Sequence, residues 1–157
     1  MPGYVFRQMN EEDAREVAAW HYEPPYDFYD AASDPDDLAE LLDQEKRWSS
    51  YFSVLSNGEF CGFFCFKVDT SDHGTTVELG LGMRPDLTGR GLGLEFLQAG
   101  LGFARCRFSP DGFRLSVAAF NERAIKVYER AGFRRVKVFE QSTNGGRYKF
   151  LLMRREA

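Results

Sequence analysis

Apolar and polar positions alternate weakly from Tyr4 to Met9, which predicts a first strand, and Asn10 then stands where a helix from Glu11 to about Trp20 needs an N-cap. A Pro- and Tyr-rich stretch, His21-Tyr-Glu-Pro-Pro-Tyr-Asp-Phe-Tyr-Asp30, interrupts the pattern, and Ser33 is placed to cap a second helix from near Asp36 to Lys46. A hairpin follows, with strands from Tyr51 to Ser56 and from Glu59 to Val68 around the turn Asn57-Gly58. Asn-Gly suits a type I′ turn because both central residues need positive φ. A looser turn from Asp69 to Gly74 leads into a fourth strand, Thr75 to Met83. Beyond it the pattern switches to helix Leu92 to Ala104, strand Phe113 to Val117, and helix Asn121 to Ala131 with Gly132 at its C′ position. Two last strands are expected at about Arg134 to Val138 and Tyr148 to Met153. The order β-α-α-β-β-β-α-β-α-β-β predicts an α/β class fold, a mixed sheet with helices on both faces, in a single domain over residues 1–157.

Composition narrows the class without naming it. An aromatic share of 15% excludes a disordered chain. No apolar run nears the roughly 18 residues of a membrane span, and the start Met1-Pro-Gly-Tyr-Val lacks the basic and apolar regions of a signal peptide. A cytoplasmic protein with no membrane partner is therefore expected. Cys61 and Cys65, four apart in a Phe-rich strand, read as buried reduced thiols, and His21 and His73 show no ligand spacing, so no metal is expected. The net charge of −4 hides an asymmetry: residues 1–83 hold 5 Lys/Arg against 17 Asp/Glu, whereas residues 84–157 hold 15 against 7. Such a split fits a cationic partner on one part and an anionic one on the other, or simple solvation. No basic groove accompanies a reading motif, so no nucleic acid is expected as a partner.

The stretch Glu78-Leu-Gly-Leu-Gly-Met-Arg-Pro-Asp-Leu-Thr-Gly-Arg-Gly-Leu-Gly93 carries the candidate chemistry. Gly89, Gly91 and Gly93 alternate where a helix must begin, so backbone N–H groups can converge beside the positive end of the helix dipole. A nucleoside-triphosphate loop would need Lys and Ser or Thr next, but Leu94-Glu95 follows. A dinucleotide fingerprint would need a third glycine where Phe96 stands, and its acid, Asp111, falls in the turn Ser109-Pro-Asp-Gly112. An ordinary glycine-rich turn remains an alternative, and the pyrophosphate of coenzyme A is the third phosphate ligand.

The loop resembles motif A of the GNAT family of N-acetyltransferases, a strand followed by Gln/Arg-x-x-Gly-x-Gly/Ala. Gly91 and Gly93 match its two small positions, and Thr88 stands where Gln or Arg is usual. The stretch Leu115-Ser-Val-Ala-Ala-Phe-Asn-Glu-Arg-Ala-Ile-Lys-Val-Tyr-Glu-Arg-Ala-Gly-Phe133 looks like motif B of the same family, with Asn121, Ala124, Tyr128, Gly132 and Phe133 in the expected places. The resemblance implies acetyl-CoA as acyl donor and direct transfer of its acetyl group to an amine. It implies coenzyme contacts from Thr88, Gly89, Arg90, Gly91, Leu92 and Gly93, and from Asn121, which is equally an N-cap by its chemistry. Arg84 and Arg123, with Arg90, stand near the two motifs as further phosphate partners. It also implies splayed central strands, with a bulge favoured by Gly80 and Gly82 and the backbone of Leu81 and Met83 bonded to pantetheine; glycines in a loose strand are the plainer account.

Two catalytic residues follow from the resemblance. Tyr128 would meet the leaving thiolate, or else be a core tyrosine on the stripe of Ile125 and Ala131. Glu78 would act as base through water, or else be a solvent-facing strand acid. The acidic residues Asp27, Asp30, Asp34, Asp36 and Asp37 fit attraction of a cationic amine. Tyr22, Tyr26, Phe28 and Tyr29 could wall an acceptor slot, though packing between the first helices is the stronger expectation. The two-helix start also resembles relatives that acetylate protein N-termini, including ribosomal-protein alanine N-acetyltransferases. A small-molecule or peptide amine is thus the expected acceptor of a monomer or homodimer, with a catalytically silent acyl-CoA-binding module as the alternative.

Overall fold

Turn and cap chemistry fixes most element ends in the computed structural model, which describes residues 3–71 and 73–157. Met1 and Pro2 of the opening segment, and Asp72 of the expected turn after Asp69, lie outside the described residues. The strands are β1 (Tyr4–Gln8), β2 (Tyr51–Ser56), β3 (Glu59–Asp69), β4 (Thr76–Met83), β5 (Gly112–Ala118), β6 (Arg134–Thr143) and β7 (Gly146–Glu156). The helices are α1 (Glu11–Ala19), α2 (Pro35–Leu42), α3 (Gln44–Trp48), α4 (Gly93–Phe108) and α5 (Glu122–Arg130). One seven-stranded mixed sheet has the order β1-β2-β3-β4-β5-β7-β6, as the α/β expectation requires. The chain divides into two compact units, and β3 and β4 contribute residues to both.

The first unit runs to Phe64 and adds Leu81–Thr88 and Ser142–Arg147. Here β1 and β2 pair antiparallel from Tyr4–Ser56 to Gln8–Phe52. Asn57 (φ 52°) and Gly58 (φ 79°) make the expected type I′ turn into β3. Asn10 caps α1 by accepting the Asp13 amide at 2.8 Å. The single helix expected from Asp36 to Lys46 is two helices, and its cap is Asp34, not Ser33. Pro35 holds the preceding residue extended and supplies the first helical φ. Asp43 then stops α2, and its carboxylate accepts the Glu45 and Lys46 amides to start α3. Ser33 sits in a short 3₁₀ turn and donates to the Asp27 carbonyl at 2.9 Å.

The core of this unit includes Met9, Ala14, Val17, Leu41, Phe52, Val54, Cys61 and Phe64, all buried. Asp13 is buried with them and accepts from Arg7 (2.9 Å) and Ser53 (2.7 Å). Removing that carboxylate would leave Ser53 without its acceptor, so Asp13→Ala is expected to lower unfolding free energy by about 2 kcal/mol. The measurement is a urea titration, with the midpoint falling at unchanged slope.

The second unit holds Cys65–Gly80, Gly89–Gln141 and Tyr148–Ala157. Its β4 segment pairs parallel with β5 from Thr76–Gly112 to Glu78–Arg114. Beyond that ladder β5 continues to Ala118, paired antiparallel with β7 from Gly112–Glu156 to Ala118–Phe150. Val77, Leu79, Phe96, Leu97, Leu101, Phe113, Leu115, Ile125, Phe133 and Met153 are buried, and Phe66 packs its ring on Phe103 and Phe108. Helix α4 runs a turn further than expected, because nothing breaks it before Ser109, which takes a left-handed φ of 47° ahead of Pro110. The last two strands are longer than expected as well. They are joined by Asn144 (φ 50°) and Gly145 (φ 77°), a second Asn-Gly turn. Cys61 and Cys65 are buried free thiols as expected, and Cys106 is exposed.

Candidate active site

The glycine loop in the second unit has the backbone that an anion cradle needs. Gly89 and Gly91 have φ of +74° and +76°, a region open to glycine, and Leu92 follows at φ −89°, ψ −10°. A left-handed residue followed by a right-handed one turns successive N–H groups toward one point. Helix α4 starts directly after, at Gly93, with no side chain capping it. Its first-turn amides and dipole therefore face the same place as the loop. A Cβ on Gly91 would meet nothing within 4 Å, so protein packing does not explain the glycine there. Gly93 has a packing role, since a Cβ would touch the Val127 methyls at 3.5 and 3.7 Å.

Cations stand beside this loop. Arg90 is exposed on it, and the Arg123 guanidinium from α5 lies 3.6 Å from the Cβ position of Gly89. Arg84, in the first unit, is committed elsewhere: it donates to both Asp86 oxygens (2.6 and 3.1 Å) and to the Phe60 carbonyl (2.9 Å). The Thr88 hydroxyl likewise closes its own turn, donating to the Pro85 carbonyl at 2.8 Å.

Motif B folds as one capped helix. Asn121 is 8% exposed and accepts the Ala124 amide at 3.1 Å, which shows the cap role directly. At the other end Gly132 (φ 92°) lets the Phe133 amide reach the Tyr128 carbonyl at 3.0 Å. That turn seats the Phe133 ring edge-on against the half-buried Tyr128, with centroids 6.1 Å apart. Tyr128 thus packs against Phe133 without being sealed in the core.

Glu78 is neither free in solvent nor buried. Its cross-strand neighbour Arg114 donates to it at 3.0 Å and to Asp69 at 2.8 Å. Hydrogen bonds from Ser71, then from Arg114, hold the Asp69 carboxyl well below the usual carboxylate range. One Glu78 oxygen is therefore oriented by a cation that sequence reasoning missed, because the β4–β5 register sets the pair and no local pattern encodes it.

In the first unit, Leu81 and Met83 end β4, and here the aromatic segment enters. The Tyr22 hydroxyl donates to the Met83 carbonyl at 2.7 Å. Burial, and then the nearby Asp30 charge, push the Tyr22 phenol well above its ordinary range, so it stays protonated. Asp30 accepts the Tyr22 amide at 2.9 Å and pairs with His21 Nδ1 at 2.6 Å. Asp34 caps α2 and accepts from Thr143 at 2.8 Å, so it and Asp30 hold the chain in place as well as charging this face. Gly82 is explained by packing: a Cβ there would lie 2.6 Å from the Phe63 ring.

A mixed sheet in which β4 leads through a glycine loop into an uncapped helix, followed by an Asn-capped helix carrying a tyrosine, is the arrangement that the motif A and motif B resemblances imply. The chain belongs to the acetyltransferase (GNAT) family, whose sequence model matches residues 9–133. It is similar to the mycothiol acetyltransferase of Streptomyces coelicolor, with 36% identity over 85 residues that cover 54% of this chain and 27% of that one. The chain thus spans about a quarter of the length of the curated relatives it matches. Among solved structures, it resembles an aminoglycoside N(6′)-acetyltransferase of Legionella pneumophila (TM-score 0.77, 22% identity, 98% of this chain and 91% of that one). It also resembles a spermidine N-acetyltransferase of Vibrio cholerae in complex with CoA and spermine (TM-score 0.74, 17% identity, 98% and 95% covered). At these identities the two structures speak for the fold. Among the described residues, no helix is long and apolar enough to cross a membrane, and no cluster of His, Cys, Asp and Glu is grouped to hold a metal ion.

Proposed function

We propose that this protein transfers the acetyl group of acetyl-CoA to a primary amine by direct attack. The observation that carries the reading is the pair of positive φ angles at Gly89 and Gly91 leading into a helix that no side chain caps. That backbone fits a pyrophosphate. Arg90 and Arg123 add charge beside it. The short β4–β5 ladder, ending at Glu78–Arg114, fits a pantetheine arm bonded to the backbone of Leu81 and Met83. The Met83 carbonyl already accepts from Tyr22, which favours its N–H for that contact.

The amine nitrogen attacks the thioester carbonyl carbon, a β4 backbone N–H stabilises the tetrahedral oxyanion, and the carbon–sulfur bond breaks to release a thiolate. Tyr128 donates to that sulfur. Glu78, oriented by Arg114, takes the proton of the incoming ammonium through a water molecule. Residues 1–83, with their excess of acids, suit a cationic acceptor, and spermidine and aminoglycosides, named for the neighbours, have that chemistry.

Melting with acetyl-CoA, followed by thiol release with a panel of polyamines, aminoglycosides and peptide N-termini, tests the reading. A ligand at a hundred times its Kd stabilises the folded chain by about 2.7 kcal/mol, so a clear rise in melting temperature is expected. An unmoved transition with both CoA and acetyl-CoA would overturn the proposal. A raised transition without thiol from any amine would leave a binding module instead.

A further inference from the structure

The sheet ends on β6, and every side chain from Arg134 to Val138 is exposed, on both faces of the strand. An edge strand also turns one row of its N–H and C=O groups away from the sheet. The two-residue turn Asn144-Gly145 decides which residues supply that row. It makes Thr143 and Gly146 a hydrogen-bonded pair, so the odd-numbered residues of β6 bond β7 and the even-numbered ones direct their backbone groups outward. The same register sets Phe139 opposite Phe150, and their rings are stacked with centroids 5.9 Å apart.

The even-numbered side chains continue an apolar row that begins in the core. Leu115 and Val117 of β5 pair with Met153 and Leu151 of β7, and all four are buried. The hairpin register carries the row on to Val136 and Val138, which are 50% and 60% exposed. Edge positions are commonly guarded by charge. Here two β-branched apolar side chains stand in the row, with Arg134 at one end of them and Glu140 at the other, both exposed.

We propose that β6 is the surface through which two copies of this chain pair, antiparallel and in the register that sets Arg134 against Glu140 and Val136 against Val138. The pattern Arg134-x-Val136-x-Val138-x-Glu140 is its own complement when reversed. A two-fold axis at Lys137 therefore makes each of these pairs twice, and in each pair both residues have outward-facing backbone groups to exchange. Sliding the strands by two residues one way sets Arg134 against Val138, and the other way sets Val136 against Glu140, so the charges select one register. Cross-strand opposite charges and β-branched pairs are the contacts that stabilise an antiparallel ladder. The contact is closed, because pairing uses up the edge of both copies and leaves no row for a third.

The axis carries one unfavourable contact. Lys137 faces its own copy there, from the opposite face of the strand, and like charges directly opposite weaken a ladder. This lysine limits how tightly the two copies associate.

Sedimentation velocity over a concentration series of the full chain tests the pairing, with the parent compared to Glu140→Arg, Arg134→Glu, the double exchange of both and Lys137→Thr. The parent is expected to move from 18.0 kDa toward twice that mass as concentration rises. Each single reversal sets like charges opposite at two places, and should weaken the dimer by about tenfold or more. The double exchange should return the dissociation constant to within about threefold of the parent's, and Lys137→Thr should tighten the dimer by about threefold. These side chains are exposed, so melting temperatures should stay close to the parent's. A parent that is monomeric at every concentration overturns the proposal. A dimer that the single reversals leave unchanged, or that the double exchange fails to restore, overturns it too, because its contact then lies elsewhere on the chain. None of these outcomes bears on acetyl transfer, which melting with acetyl-CoA and thiol release test separately.

Discussion

Valine in place of Gly91 is expected to leave a folded protein that binds acetyl-CoA at least about a hundredfold more weakly. The residue has φ +76°, where a β-branched side chain is strongly disfavoured, so the local backbone will rotate into an allowed region. No atom lies within 4 Å of the added Cβ position, so the fold meets no clash there, and the penalty stays near 2 kcal/mol. The rotation turns the N–H groups around Leu92 away from their common focus. Each charge-assisted hydrogen bond from backbone to phosphate contributes roughly 1.5–3 kcal/mol, and the loss of one or two accounts for the expected factor.

Gly58→Val is the matched control. Gly58 has φ +79° and equally open surroundings, but it sits in the β2–β3 turn. Both variants should lose similar stability, and only Gly91→Val should lose the heat of coenzyme binding in calorimetry. Affinity within threefold of the parent for both would remove the loop from coenzyme recognition.

The features that the sequence discloses are those decided within a few residues. Asn10 as a cap, Asn57-Gly58 as a turn, Gly132 as a helix stop and the alternating glycines before α4 depend on local backbone chemistry, and the structure places each of them so. Asp43 and the Asn144-Gly145 turn carried equally local signals. The first was hidden because apolar periodicity carried the helix through it, and the second because the flanking strand positions of β6 are almost all exposed and do not alternate in burial.

The partners of the site residues are a different matter. Arg114 meets Glu78 across 36 positions of sequence, and Tyr22 meets Met83 across 61. Both pairings follow from strand register and from where α1 releases the chain, and neither leaves a periodic trace. The resemblance to a family supplied Glu78 and Tyr128 as candidates. The tertiary fold adds what surrounds them.

Removing one oxygen at Tyr128 is the second change with a large expected effect. Phenylalanine keeps the ring, so the edge-on contact with Phe133 and the end of α5 should survive, and the melting temperature should fall by no more than a few degrees. The hydroxyl is the group proposed to meet the leaving sulfur. A thiol with pKa near 8.5 beside a phenol near 10 makes full proton transfer uphill by about 2 kcal/mol, so the phenol works mainly by a strong hydrogen bond to sulfur as charge develops. An interaction made only in the transition state lowers kcat without weakening ground-state binding when it is removed. Tyr128→Phe is therefore expected to lower kcat by about 10²-fold, with acetyl-CoA affinity changed by less than a factor of about three. Single-turnover thiol release, followed beside a calorimetric titration of the coenzyme, separates the two effects. An unaltered turnover rate would make Tyr128 the packing residue that its place on the Ile125 stripe also allows. Equal losses in rate and affinity would place its hydroxyl on the coenzyme rather than on the departing sulfur.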